Sequence, residues 1–240
     1  MSALLKISDL WGGYINGVDI LRGISIEVQQ GEAVGIIGLN GSGKSTFGKA
    51  IMNMIPFRRG EILFEGEDIT ALSTSQLAHR GISFMQQGGK VFPNLSAWDN
   101  IQLAAQAKNG QWTMVYSQLS EIIPLLRRPK KKLQRLMADK LSGGEKHQLS
   151  LAMTLATNPR LVILDEPSAG LSPKAVDDMY TIMEKINKLL NMTTLLIEQN
   201  IFRTLSFCTR CVMLGQGEVQ YEFKGNSLTI DKVEKVMFNI

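Results

Sequence analysis

Between the apolar run Ala33 to Ile37 and a helix-forming stretch near Lys44, the chain reads Gly38-Leu39-Asn40-Gly41-Ser42-Gly43-Lys44-Ser45. This segment restricts the possible folds more than any other, because a G-x-x-x-x-G-K-[ST] turn works only where a strand runs into a glycine loop that opens a helix. The glycines let successive N–H groups turn toward phosphate oxygens, and the helix adds the positive end of its dipole. In that arrangement Lys44 reaches the β- and γ-phosphates of a nucleoside triphosphate, and the Ser45 hydroxyl takes Mg²⁺. Gly38, Asn40, Gly41, Ser42, Gly43 and Thr46 complete the expected nucleotide contacts. A glycine turn with an accidental lysine is the alternative, and the flanking strand and helix weigh against it.

The rest of the chain alternates β and helical periods. Strands are expected around Leu4 to Leu10, Ile24 to Val28, Glu61 to Phe64, Ile82 to Met85, Leu161 to Leu164 and Thr193 to Ile197, with a helix from Pro173 to Leu190. Between about 88 and 155 helical signals dominate, so the pattern predicts an α/β core carrying a helical insert. Leu161-Val162-Ile163-Leu164-Asp165-Glu166 ends an apolar strand on two carboxylates. That places Asp165 at the sheet's carboxyl edge, where ligands of open α/β sheets sit. Asp165 is a candidate Mg²⁺ ligand, and Glu166 a candidate to polarise the water that attacks the γ-phosphate. A GTPase is disfavoured: Asn187-Lys188-Leu189-Leu190 lacks the aspartate of an Asn-Lys-x-Asp base reader, and Glu-Pro-Ser follows Asp165 where a switch would end in glycine.

A third feature separates the remaining possibilities. Leu141-Ser142-Gly143-Gly144-Glu145 opens another apolar-periodic helix, and a Ser-Gly-Gly turn at a helix N-terminus is a second phosphate site. One chain cannot easily bring both sites to one nucleotide. The economical arrangement is a head-to-tail dimer, in which Ser142, Gly143, Gly144 and Glu145 of one subunit close over the nucleotide of the other. A small-molecule kinase with a phosphate loop leaves this turn unexplained.

Taken together, the three motifs resemble those of the ABC transporter ATPases, whose signature LSGGE matches. The resemblance spans nearly the whole chain. It implies a RecA-like P-loop NTPase core with an N-terminal antiparallel β subdomain and a helical, signature-bearing insert. One domain over 1–240 is expected, with core and β subdomain at about 1–87 and 156–240 and the insert at about 88–155. By the same resemblance Tyr14 stacks on adenine, Gln87 ligates Mg²⁺, and Ser172 replaces the usual aspartate of the D-loop Ala169-Gly170-Leu171-Ser172. Gln199 occupies the switch position, where most relatives carry histidine; it can donate a hydrogen bond to a γ-phosphate but carries no charge. Neither His79 nor His147 is placed to substitute. Glu198-Gln199-Asn200 and Gly88 to Ser96 are similar to one subgroup, the second ATPase subunit of branched-chain amino-acid importers and their urea or amide relatives. Met153, standing where that subgroup has arginine, and the tail after Val219 depart from it.

The resemblance further implies ATP and Mg²⁺ as cofactors, a second ATPase subunit (identical or not), permease subunits contacted through the region after Gln87, and a substrate-binding protein indirectly. An ABC ATPase acting on nucleic acid without a transporter is the alternative, and charge bears on it. The 26 Lys and Arg against 22 Asp and Glu leave +4. Removing the six basic residues from Arg127 to Arg135 leaves −2, so the excess is local. It reads as a solvated turn and helix face or as a patch for phosphates, lipid headgroups or an acidic partner, and no direct nucleic-acid binding is expected. With short apolar runs and no signal-peptide pattern, a cytoplasmic protein, peripheral on the membrane through permease subunits, is expected. Cys208 and Cys211 lack a second metal-binding pair and read as packed thiols.

Overall fold

The computed structural model describes residues 3–106, 112–227 and 229–238. It divides into two compact units, Met1–Leu77 with Met192–Ile240, and Ala78–Asn191. The first unit opens with β1 (Leu5–Gly13), β2 (Leu21–Val28), β3 (Ala33–Ile37), α1 (Lys44–Ile51), β4 (Phe57–Phe64) and β5 (Glu67–Asp68). Helix α2 (Thr74–Arg80) straddles the changeover. The second unit holds β6 (Ile82–Met85), α3 (Ala97–Ala105), α4 (Trp112–Ile122), α5 (Lys130–Arg135), α6 (Gly143–Leu155), β7 (Leu161–Asp165) and α7 (Pro173–Leu190). The chain then returns to the first with β8 (Thr193–Ile197), α8 (Ile201–Phe207), β9 (Arg210–Gly215), β10 (Glu218–Lys224) and α9 (Ile230–Phe238).

In the first unit an antiparallel sheet runs β2-β1-β4-β5. Alternation builds it: Leu5 and Ile7 of β1 and Ile24, Ile26 and Val28 of β2 are buried, while Lys6 and Glu27 pair outside at 3.2 Å. Parallel ladders join β8, β3 and β9, and β10 closes the edge antiparallel to β9. Every residue of β3 and β8 is buried, as near-continuous apolar runs in a parallel sheet require. The β9–β10 hairpin turns on Gln216 and Gly217, at φ 51 and 86; positive φ at both positions is what a two-residue type I′ connection needs.

In the second unit β6 and β7 pair in parallel, Ile82 opposite Leu161 and Met85 opposite Leu164. Helix α7 starts with Pro173 in its first turn and ends at Asn191 in the left-handed region, φ 45, the asymmetry that helix termini favour. It buries Met179, Tyr180, Ile182, Met183 and Ile186, and α6 buries Leu149, Leu151, Ala152 and Leu155. Such side chains stabilise by about 1.5–3 kcal/mol each when fully removed from water. Helices α3 to α6 all lie between β6 and β7, in the stretch where helical signals dominate the sequence. The architecture is an α/β P-loop NTPase fold with an antiparallel β subdomain.

Sequence periodicity gives no hint of β5, α2, β10 or α9. Strand β10 buries only Phe223, so an edge strand without alternation leaves no period to detect. Strand β1 runs on to Gly13, past the expected end at Leu10, after a register shift beyond Ser8 and a left-handed Asp9, φ 50. Among the described residues no helix is long and apolar enough to cross a membrane.

Candidate nucleotide site

The phosphate loop lies in the first unit between β3 and α1. Gly38, Gly41 and Gly43 all have positive φ, and Gly43 N-caps α1 with no side-chain cap bond. Gly43 therefore brings no side-chain acceptor of its own to the first turn of α1. Gly38 cannot be replaced cheaply, because a Cβ there would stand 2.3 Å from the carbonyl oxygen of Leu214. Lys44 is 5% exposed, and its Nζ donates to Gly38 O at 2.8 Å and Leu39 O at 3.0 Å, curling the loop around its own ammonium. The Ser42 hydroxyl is buried without a hydrogen-bond partner among the described residues, a cost that a ligand oxygen would relieve. An anionic phosphate chain fits this cradle; Asn40 is exposed at its rim, and Thr46 is buried on α1 behind Ser45. The Gly217 N–H donates to Ser42 O at 3.1 Å, so the β9–β10 turn buttresses the loop. Sequence reasoning missed that support, although Gly215-Gln216-Gly217 was a visible turn signal.

Elsewhere in the first unit, Tyr14 is 43% exposed in the connection after β1. Gln199 is exposed just beyond β8; its N–H donates to Glu198 Oε2 at 2.8 Å, and Asn200 caps α8 by accepting from Arg203 N. Buried Glu198 thus fixes the backbone from which Gln199 projects.

In the second unit, β7 ends on Asp165, only 2% exposed. Glu166 follows in the left-handed region, φ 46, so the chain turns sharply out of the strand there. Gln87, just past β6, donates from Nε2 to Glu166 Oε2 at 2.5 Å. Parallel pairing of β6 with β7 brings these two sequence-distant residues together. A hydrogen bond from an amide fixes the orientation of the carboxylate that accepts it.

The turn Ser142-Gly143-Gly144 opens α6 in the same unit with a complete capping box: Glu145 N donates to Ser142 Oγ at 3.3 Å, and Ser142 N donates back to Glu145 Oε2 at 2.9 Å. Glu145, expected to touch nucleotide, is thus engaged within its own turn, where Arg128 also pairs with it. His147, on the same helix, donates from Nδ1 to Gly143 O at 2.9 Å. A cleft of about 470 Å³ lies beside the turn, bordered by Gly170, Leu171, Ser172 and Ala175.

The ABC transporter family matches residues 21–169, more than half of the chain. The chain belongs to that family. It is 31% identical over 221 residues to the lipopolysaccharide export system ATP-binding protein LptB of Escherichia coli, covering 90% of this chain and 89% of that protein. The probable branched-chain amino acid transport ATP-binding protein LivF of Archaeoglobus fulgidus is 30% identical, with 99% of both chains covered. A dimeric, post-hydrolysis ATP-binding cassette bound to ADP and Pi superposes with a TM-score of 0.76 at 23% identity, over 92% of this chain and 98% of that one, which shows the shared fold. The chain is an ATPase of this family, and its cofactors are ATP and Mg²⁺.

Two further sequence features find their place in the ABC ATPase. Both cysteines are buried. A Cβ on Gly35 would lie 2.9 Å from Cys211 Sγ and 3.3 Å from Cys208 Sγ, so the thiols fill the space that glycine leaves beside β3. Burial pushes the Cys211 thiol up to about 12 and Cys208 well above its ordinary value, as for packed, unreactive thiols. The basic stretch proves to be mixed. Lys131, Lys132 and Arg135 are exposed on α5, whereas Lys130 stands 4.5 Å over the Trp98 ring and Arg127 donates to Glu121 O.

Proposed function

We propose that the two units form one ABC ATPase domain, and that two such domains associate head to tail so that the phosphate loop of one meets the Ser142-Gly143-Gly144 turn of the other. The observation that carries this reading is the environment of Gly143 and Gly144. Neither has a positive φ, and an added Cβ would meet only Leu171 at 3.9 Å and Ala175 at 3.7 Å, ordinary contact distances. Nothing among the described residues requires glycine there. Close approach by a ligand outside the chain supplies a reason, since only glycine lets backbone N–H groups come flush against a phosphate.

Roles follow from the side chains. Lys44 and the N–H groups of Gly41 to Thr46 bind the phosphates, and Tyr14 offers an exposed ring for adenine. Ser45, Asp165 and Gln87 would hold Mg²⁺, which would supply positive charge to offset that of the phosphates. Glu166 accepts a proton from the attacking water as general base, its carboxylate oriented by the Gln87 amide. Gln199 donates to the γ-phosphate without adding charge. Because Gln87 holds Glu166, displacement of the loop after Gln87 by a permease subunit changes the base directly.

The chain serves a membrane importer of branched-chain amino acids or related small polar compounds, from the cytoplasmic face and together with a substrate-binding protein. Glu198-Gln199-Asn200 and Gly88 to Ser96 support that direction, and the resemblance to LivF supports the cargo. Replacing Glu166 by Gln tests the catalytic reading: ATP binding should persist while turnover falls by about 10²–10⁴, the scale of a lost general base. Near-parental hydrolysis in Glu166→Gln would overturn it. Transport reconstituted with the permease, and lost in the same variant, checks the coupling.

A further inference from the structure

The six-cation stretch contains one residue that does not behave as surface. The segment leading into α5 is fastened to the first turns of α6, where Leu125 N donates to Gln148 Oε1 at 3.0 Å and Arg128 pairs with Glu145 Oε1, and to α4, whose Tyr116 hydroxyl donates to Leu126 O at 3.2 Å. The Arg128 side chain is 33% exposed and that of Glu145 26%. The other oxygen of Glu145 is occupied too, accepting from the Ser142 N–H at 2.9 Å and the Ser142 hydroxyl at 3.0 Å. One carboxylate therefore bridges a cation and a helix cap. Burial opposes its charge, but the Ser142 N–H, the Ser142 hydroxyl and Arg128 outweigh burial and hold the carboxyl below its usual value.

We propose that Arg128 is a positioning residue of this ATPase: through Glu145 it sets the rotamer of the Ser142 hydroxyl and the direction of the N–H groups in the Ser142-Gly143-Gly144 turn. This rests on the reading of that turn as a nucleotide contact. A neutral amide at position 145 can cap Ser142 alone, whereas a carboxylate leaves one oxygen half-buried and needing a donor. Arg128 supplies it, 17 residues earlier in the chain. Without that guanidinium, Glu145 regains rotamer freedom and its second oxygen turns to water, so the cap loosens. The positive stretch thus divides into four cations on α5, Arg127 bound to the Glu121 carbonyl, and one cation that acts on the turn.

The experiment is amide hydrogen exchange on the nucleotide-free full chain, run beside steady-state ATP hydrolysis, for Arg128→Gln, Arg128→Lys, Glu145→Gln and the Arg128→Gln/Glu145→Gln pair. Exchange across 142–146 should quicken about three- to tenfold in Arg128→Gln, the usual weight of a partly exposed charge-assisted contact. kcat should fall by a similar factor, while KM and exchange in 38–45 stay at the parental values. Arg128→Lys should stay within about twofold of the parent, because a single donor suffices for one oxygen. In the Glu145→Gln background Arg128→Gln should become silent. Unchanged exchange in Arg128→Gln, or equal effects of Arg128→Gln with and without Glu145→Gln, overturns the proposal. Faster exchange with parental kcat leaves the positioning standing and removes the reading of the turn as a nucleotide contact. Should Arg128→Gln not fold, Arg128→Ala at lower temperature, judged in both backgrounds at 145, gives the same comparison.

Discussion

Two glycine turns, 38–45 and 142–144, both open helices, yet they are built in opposite ways. The first is closed on itself. Its glycines take positive φ, Lys44 is buried against its own loop carbonyls, and the β9–β10 turn braces it from outside. The second has ordinary backbone, room for a side chain at both glycines, and a geometry set by Ser142, Glu145 and Arg128. Among the described residues the fold demands glycine in the first turn and not in the second, where the proposed reason for it is a ligand beyond the chain. A site that holds its ligand at rest can be preformed, whereas one that engages only on closure has to stay open.

The largest effect that sharpens this contrast is expected in the first turn. Lys44→Ala should weaken ATP binding by roughly 10²–10³, the loss of a charged phosphate donor, measured by titration with a fluorescent nucleotide. No variant in 142–144 should reach that scale for binding to the isolated chain. Next come paired glycine replacements. Gly38→Ala should destabilise folding by about 2–4 kcal/mol, from the clash with Leu214 O and a φ of 150. Gly143→Ala should leave stability unchanged or raise it by up to about 1 kcal/mol yet lower turnover about tenfold or more. Denaturant unfolding beside ATPase rates checks both, and equal stability losses would break the distinction.

The smallest expected effect is of pH. The Glu145 carboxyl is held below its ordinary 4.5, with burial opposing and the Ser142 and Arg128 contacts prevailing. A carboxyl depressed in the folded state adds stability that is present above its unfolded value and is lost as pH falls through the folded one. The turn should therefore keep constant order from neutral pH to near 4.5 and loosen only below it. Glu145→Gln should remove that acid limb, read by the pH dependence of amide exchange at 142–146.

Much of this molecule was legible in its sequence, for physical reasons. The phosphate loop is contiguous, so eight neighbouring residues carry its whole geometry, and β3, β7 and β8 are buried on both faces and read as unbroken apolar runs. Helix α7 announces itself through Pro173 and its period. What escaped depends on distance or on weak periodicity. The Gln87–Glu166 contact joins residues 79 apart, and Arg128 finds Glu145 only after α6 has formed, so in the sequence it was one cation among six. Strand β10, a mostly exposed edge, carries no alternation to detect.

The central claim, that the turn at 142–144 completes a nucleotide site on a second copy, is tested most directly by sedimentation velocity of the Glu166→Gln chain with and without Mg²⁺-ATP. The account predicts a monomer without nucleotide, a dimer with it, and loss of that dimer when Gly143→Asp is added while ATP binding remains. A Glu166→Gln chain that stays monomeric with ATP bound, or a dimer indifferent to Gly143→Asp, would contradict it.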